Sequence, residues 1–360
     1  MISMDKITGS LEKAIVENRL PVPLAAVLRA ASAFYGAGVA FRNALYDRIP
    51  ALSHAAPRPV ISIGGIRAGG TGKTPVAAMI GAHLASKGIG VAYLSRGYRR
   101  KDSSCRIVAP GESVPWSTIG DEPALLHSRL PQSWLGIGPD RSQAAARLAP
   151  LLPPRSAYVL DDGFQHRALR RDLDIVCLHE SFSADRLIPA GFCREPLSAL
   201  ARARIALIIG PPELAGALMD RKRLLAARFP KLFIAVMFQV PGSWVCAADG
   251  RRIGVPPLQN PMLICGIARP GRFTDMIRKA GIIPSATLIF GDHHPYAPDN
   301  FRDYRKLLPN GIITTEKDAV RLRSMDVVQL EKMWYLTIDV RFADPGDEIE
   351  CNSLIDRVIR

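Results

Sequence analysis

A strand-like apolar run, Val60-Ile61-Ser62-Ile63-Gly64, breaks into small residues and ends at Gly72-Lys73-Thr74. Few patterns restrict a fold more. The run demands a strand that stops, a loop that lets backbone N–H groups converge, and a helix whose N-terminus faces an anion. Gly69, Gly70 and Gly72 permit that close approach, Thr74 onward starts a helix, and Pro75 sits in its first turn, where a missing N–H costs nothing. The loop departs from G-x-x-x-x-G-K-[ST], because Arg67 stands where the first glycine belongs. A strand–turn–helix corner that happens to hold glycines is the bland alternative. The Gly-Lys-Thr ending favours a nucleotide phosphate site built from Gly69, Gly70, Thr71, Gly72, Lys73 and Thr74. Lys73 would then reach the nucleotide's β/γ-phosphates, and the Thr74 hydroxyl would hold Mg2+.

Such a loop belongs in a parallel sheet, and the sequence supplies one. "GVAYLSRG", "SWLGIG", "AYVLDDG", "DLDIVCL" and "ARIALIIG" are continuous apolar runs, with a helix from Arg141 that Pro150 ends. That is the pattern of strands covered on both faces. A helix over 214–229 leads to a second series: "KLFIAVMF", "MLICGIA", a helix from Phe273, "ATLIF", "NGIITT" and "MWYLTIDV". Asp249-Gly250 marks a hairpin within it. A chain of 360 residues exceeds one ordinary core. The expected fold is α/β: an N-terminal membrane-associated helical region over 1–50, a P-loop nucleotide-binding parallel-sheet domain over 51–228, and a second, smaller α/β domain over 229–360.

A formal charge of +14 calls for an acidic partner: nucleic acid, an anionic membrane surface or a phosphorylated substrate. No zinc finger, basic-helix array or aromatic-plus-basic RNA motif is visible, so nucleic acid is not expected. The six cysteines are scattered without a C-x-x-C pair, which reads as reduced thiols in place of a disulfide framework or zinc site. Asp5, Glu12 and Glu17 precede any apolar run and argue against a signal peptide. From Val22 to Phe41, Arg29 is the single charge, with Arg19, Arg42 and Arg48 flanking the segment. It reads as a helix on a membrane surface or facing substrate; a buried helix and a true span are the alternatives.

A phosphate loop needs an acidic partner for its metal, usually an Asp at the end of a parallel strand. "AYVLDDG" delivers Asp161 and Asp162 there, although a solvated Asp-Asp-Gly turn would look the same.

"AGGTGKTP", "LSRGY", "GDEP", "GPDR", "DDGFQHR", "LIPAGFCREP", "DHHPY" and "TTEKDAVRL" follow in that order between about Val60 and Leu322. Together they resemble the tetraacyldisaccharide 4'-kinases, the lipid A 4'-kinases of Gram-negative bacteria. The resemblance implies transfer of the γ-phosphoryl of ATP to the 4'-hydroxyl of an acylated glucosamine disaccharide 1-phosphate, at the cytoplasmic face of the inner membrane. It also implies two α/β/α domains joined by a β-ribbon, with an amphipathic N-terminal helix dipping into the bilayer. The missing early glycine is shared with that family. Gly65 departs from it, standing where an asparagine is common, and so does "GFC" before Arg194.

Transfer to a sugar hydroxyl needs charge neutralisation and removal of a proton. Lys73 and the loop amides suit the first, with Mg2+ on Thr74 and Asp161 and Glu122 as a further carboxylate. For the proton, Asp121 suits the role of base, and the resemblance points to His293 as the imidazole bonded to it. A metal site at Asp292-His293-His294 and a structural loop histidine are the competing readings. Arg141 and Arg194 suit phosphate, either the transferring group or the substrate's 1-phosphate, unless they close structural salt bridges. Tyr98 and Arg99 sit at a strand's C-terminal end and are candidates for the disaccharide, as are Asp162, Gln165 and His166 for substrate or metal shell. Phe164 reads as packing, and "TTEKDAVRL" as a helix start capped by Thr315, without a catalytic role. The main rival is a partitioning-type or metallochaperone P-loop switch. Ala68 replaces the lysine of the partitioning class, and "TEKD" lacks the spacing of the guanine-reading N-K-x-D.

Overall fold

In the computed structural model, residues 19, 21–97, 100, 102, 104–180, 182 and 186–359 are described. Tyr98 and Arg99 lie outside them. The apolar run forms β1, Val60–Gly64, buried along its whole length. Twelve more described strands follow: β2 Gly90–Ser95, β3 Arg106–Val108, β4 Trp134–Ile137, β5 Ser156–Asp161, β6 Leu173–His179, β7 Ile205–Gly210, β8 Phe233–Cys246, β9 Arg252–Ile253, β10 Met262–Cys265, β11 Ala286–Ile289, β12 Ile312–Thr315 and β13 Met333–Phe342. They form one sheet in the order β11-β10-β12-β13-β8-β7-β6-β1-β5-β2-β4-β3, with β9 against β8.

The pairing is parallel except for β3 on β4, β9 on β8 and β13 on β8. Alternate residues of β1 serve opposite faces, as strand periodicity requires. Ile61 and Ile63 pack with Val76, Ile80 and Leu84 of the helix Lys73–Ser86, while Val60 joins Ala144 and Leu148 of the helix Arg141–Leu148. Each such Val, Ile or Leu side chain contributes about 1.5–3 kcal/mol of burial. The sheet is therefore dressed on both sides, and its loops are free to build a site at the strands' carboxyl ends.

β8 and β13 are the two strands that run through both halves. β8 pairs with β7 as far as Phe238, then continues against β13 to Cys246. β13 pairs with β12 from Met333 to Leu336, and its register with β8 shifts between Leu336 and Ile338. At that crossing a Cβ on Gly242 would overlap the Thr337 hydroxyl and the Asp339 carboxylate, so glycine is required. A cut near residue 228 does not match this packing. It would separate β8 from β7, and it would remove the helix Pro345–Ile359, whose Cys351, Leu354 and Ile355 complete the core around β1. Local pattern hid this, because the chain's return to the first half is a long-range event.

The helix Val22–Arg48 is, among the described residues, the one long and apolar enough to cross a membrane. One seam of it is docked. Ser32 Oγ donates to Leu187 O at 2.8 Å, Tyr35 Oη to Arg194 O at 3.0 Å, and Asn43 Nδ2 to Glu195 Oε2 at 2.9 Å. Val22, Val27, Phe34 and Phe41 stand exposed on it, at 82%, 65%, 82% and 67%.

Candidate active site

β1 and β5 are neighbours, with Ile63 opposite Asp161, so the loop after β1 opens beside the acidic end of β5. Gly72 precedes the helix Lys73–Ser86 in the left-handed region at φ 78°, and Gly69 is also left-handed at φ 94°. A Cβ on Gly69 or Gly70 would meet nothing within 4 Å, so this part of the loop faces open space. Lys73 Nζ lies 3.1 Å from Asp162 Oδ1, and Arg194 Nη1 donates to Asp162 Oδ2 at 2.7 Å. Against the pull of burial, Lys73 and Arg194 hold the Asp162 carboxyl below its ordinary value. Asp161 behaves oppositely. Burial, then the charges of Glu122 and Asp162, push its carboxyl well above the usual range. Burial also raises Glu122, although Lys317 and Lys73 pull it down.

The second half of the chain reaches this cluster through His293. Its Nδ1 donates to Asp121 Oδ2 at 2.6 Å, while Asp121 Oδ1 accepts from the backbone N–H of Glu122 at 3.0 Å. Asp121 is 5% exposed; burial raises its carboxyl, but the bond from His293 and the charge of Lys317 outweigh this and hold it low. Asp121 starts the helix Asp121–Arg129, whose last residue is also gripped. Arg129 Nε donates to Glu316 Oε1 at 2.7 Å, its Nη2 pairs with Glu316 Oε2 and donates to Ile338 O at 2.7 Å, and Nη1 donates to Asp339 at 3.2 Å. Both ends of one short helix are thus clamped by the opposite half. Among the described residues, three non-glycine residues have positive φ, and two of them, Asp162 at 49° and His293 at 58°, belong to this site.

The remaining expected residues divide. Arg141 is buried with Nη1 donating to Pro139 O at 2.7 Å; burial lowers its pKa, while Asp162 and Asp161 favour its charge. His166 sits near it, its pKa lowered to about 4 by burial and then by Arg141. Its Nε2 is buried without a hydrogen-bond partner. Gln165 is committed to scaffolding: its Nε2 donates to Gly65 O at 3.0 Å and to Glu195 Oε1 at 2.9 Å. Glu195 is fully buried and also accepts from Arg202 at 2.7 Å, so this carboxylate ties the site's floor to the N-terminal helix. Phe164 packs below, under the Arg202 guanidinium at 3.9 Å. In the Asp292-His293-His294 run, both ring nitrogens of His293 are engaged, Nδ1 by Asp121 and Nε2 by Lys317, and His294 Nε2 lies 3.3 Å from Asn300 Oδ1.

Sequence reasoning missed Glu195, Arg129 and Lys317. Lys317 Nζ donates to His293 Nε2 at 2.9 Å and lies 3.4 Å from Asp292 Oδ1. Its presence in "TTEKDAVRL" was the available signal.

The family described as tetraacyldisaccharide-1-P 4'-kinase matches residues 24–360. A tetraacyldisaccharide 4'-kinase of Chlorobaculum parvum is 35% identical over 344 residues, covering 90% of this chain and 92% of that protein. One from Anaeromyxobacter sp. strain K is 35% identical over 364 residues, covering 94% and 93%. The crystal structure of LpxK from Aquifex aeolicus in complex with ATP superposes with a TM-score of 0.76 at 29% identity, covering 94% of this chain and 100% of that one.

Proposed function

The chain belongs to the tetraacyldisaccharide 4'-kinase family, which acts in lipid A biosynthesis, and on that premise we propose that Asp121 and His293 form its proton-accepting pair beside a phosphate loop ending in Lys73. ATP, bound by the Aquifex protein, is the phosphoryl donor. The acceptor is the 4'-hydroxyl of an acylated glucosamine disaccharide 1-phosphate. The observation that carries the reading is the 2.6 Å bond between His293 and Asp121, made across the two halves beside the Lys73–Asp162 pair.

Backbone amides around Gly69–Thr74 and the Lys73 ammonium neutralise the terminal phosphates. Asp121, ionised at neutral pH, takes the 4'-hydroxyl proton as that oxygen bonds to the γ-phosphorus and ADP departs. His293 holds Asp121 in place through Nδ1–H. Arg141 and Arg194 supply further positive charge for phosphate oxygens. Thr74, Asp161 and Glu122 offer hard oxygen donors of the kind Mg2+ takes, and the raised Asp161 carboxyl marks a cluster that a cation would relieve. When bound there, Mg2+ would draw charge from the β- and γ-phosphate oxygens. Asp162 and His166 border the acceptor, while Gln165 shapes the floor.

The unit carried on β8 and β13 closes over the substrate. The exposed face of the N-terminal helix rests on the cytoplasmic side of the inner membrane, where the lipid is met. Radiolabelled ATP offered with a glucosamine-disaccharide lipid, with and without Mg2+, tests the whole reading. Label in the lipid only with Mg2+ supports it, and label released as phosphate without lipid product overturns it.

A further inference from the structure

The motif Thr314-Thr315-Glu316-Lys317-Asp318 found no catalytic use in the sequence, yet each of its side chains is engaged. Thr314 Oγ1 donates to Ile264 O at 2.7 Å. Thr315 Oγ1 accepts from Asp318 N at 3.1 Å and starts the helix Glu316–Leu322. Asp318 is fully buried. It accepts from Gly266 N at 2.9 Å, Tyr296 Oη at 2.8 Å and Arg321 Nη2 at 2.5 Å. Such a satisfied buried network leaves the start of this helix little freedom. Glu316 crosses to Arg129, at the end of the helix that Asp121 begins. One residue on, Lys317 meets the imidazole ring.

We infer that Lys317 is a positioning residue that sets the tautomer and orientation of His293, through the bond from its Nζ to His293 Nε2. This inference rests on the Asp121–His293 reading above. An ammonium has protons to donate and no lone pair to offer. With Lys317 donating at 2.9 Å, Nε2 must present its lone pair, and the ring proton sits on Nδ1, where it meets Asp121 Oδ2. The opposite tautomer would set a lone pair against the carboxylate and an N–H against the ammonium. A ring nitrogen's tautomer is commonly fixed by the partner of the other nitrogen, and a wrong tautomer disables an otherwise intact pair. Lys317 itself is steadied by Asp292 at 3.4 Å, one residue before the left-handed turn that presents the ring.

The experiment combines turnover of the full chain with ATP and the acylated disaccharide and nitrogen-15 spectroscopy of histidine-labelled protein. The variants are Lys317→Met, Lys317→Gln and Lys317→Arg. Lys317 is partly exposed, so a matching unfolding midpoint checks that each variant is folded. Wild type should show His293 protonated on Nδ1, assigned by its loss in His293→Ala. Lys317→Met should lower kcat by about tenfold or more, leave the KM for ATP within about twofold, and mix the two tautomers of His293. Lys317→Arg, which keeps a donor and offers no acceptor, should restore the single tautomer and most of the rate, whereas Lys317→Gln, whose amide both donates and accepts, should leave the tautomers mixed. Wild-type kcat in Lys317→Met, or an unchanged tautomer there, overturns the inference. Asp121→Ala and His293→Ala separate the two claims. If both turn over normally the proton-accepting pair is wrong, whereas if they fail and Lys317→Met does not, only the role of Lys317 is wrong.

Discussion

Replacing Arg129 with methionine tests whether the seam between the halves is held where the structure puts it. Arg129 and Glu316 are 13% and 9% exposed at the side chain, so the pair is largely withdrawn from water. Burial works against the guanidinium's charge, and Glu316 and Asp339 more than offset this, raising its pKa. Removing one partner of a buried pair costs about 3–5 kcal/mol, because the other charge is left without compensation. Asp339 is 43% exposed and contributes only about 0–1 kcal/mol. Arg129→Met should therefore destabilise by about 3–5 kcal/mol, and adding Glu316→Leu should recover most of that loss. Urea unfolding of both variants against wild type measures the energies. Turnover should fall more than ATP affinity, since Asp121 begins the helix that Arg129 ends. A loss below about 1 kcal/mol in the single variant, or no recovery in the double, would refute the argument from the buried charge.

Three further outcomes follow. Lys73→Ala should lower phosphoryl transfer by about a hundredfold or more with an unchanged circular dichroism spectrum, and near-normal transfer would remove the loop from the chemistry. His166, with its pKa lowered to about 4 from 6.5, takes its proton in the unfolded chain first. Its share of stability is complete above pH 6.5 and declines as the pH falls toward about 4. His166→Gln should flatten that decline, which pH-dependent unfolding measures. Phe34→Glu with Phe41→Glu should weaken binding to anionic vesicles by about a hundredfold or more, as two exposed phenyl groups give up about 1.5–3 kcal/mol each. Equal sedimentation with vesicles would show that this face does not meet lipid.

The strand–loop–helix around Gly72 was legible because its information is local: small residues, a lysine and a helix start within a dozen positions. β5 and its terminal Asp161 were legible for the same reason, as was the hairpin at Asp249-Gly250, which pairs Trp244 with Ile253. The Asp121–His293 pair came from family resemblance, since 172 positions separate the partners and no periodicity links them. What stayed hidden was of that long-range kind throughout. Nothing in "CREP" announces that Glu195 will be buried under Asn43, Gln165 and Arg202, and nothing in the stretch Pro345–Ile359 says that its helix returns to β1. "TTEKDAVRL" was read correctly as a capped helix, and its capping hid the fact that the uncapped side chain, Lys317, points at the histidine.

The most direct test of the account is the single-turnover rate of Asp121→Ala at saturating ATP and acylated disaccharide. Removal of a positioned general base should slow label transfer to lipid by about a hundredfold or more while ATP binding holds near its wild-type value. A transfer rate equal to wild type, or a defect confined to ATP binding, would contradict the claim that Asp121 takes the proton.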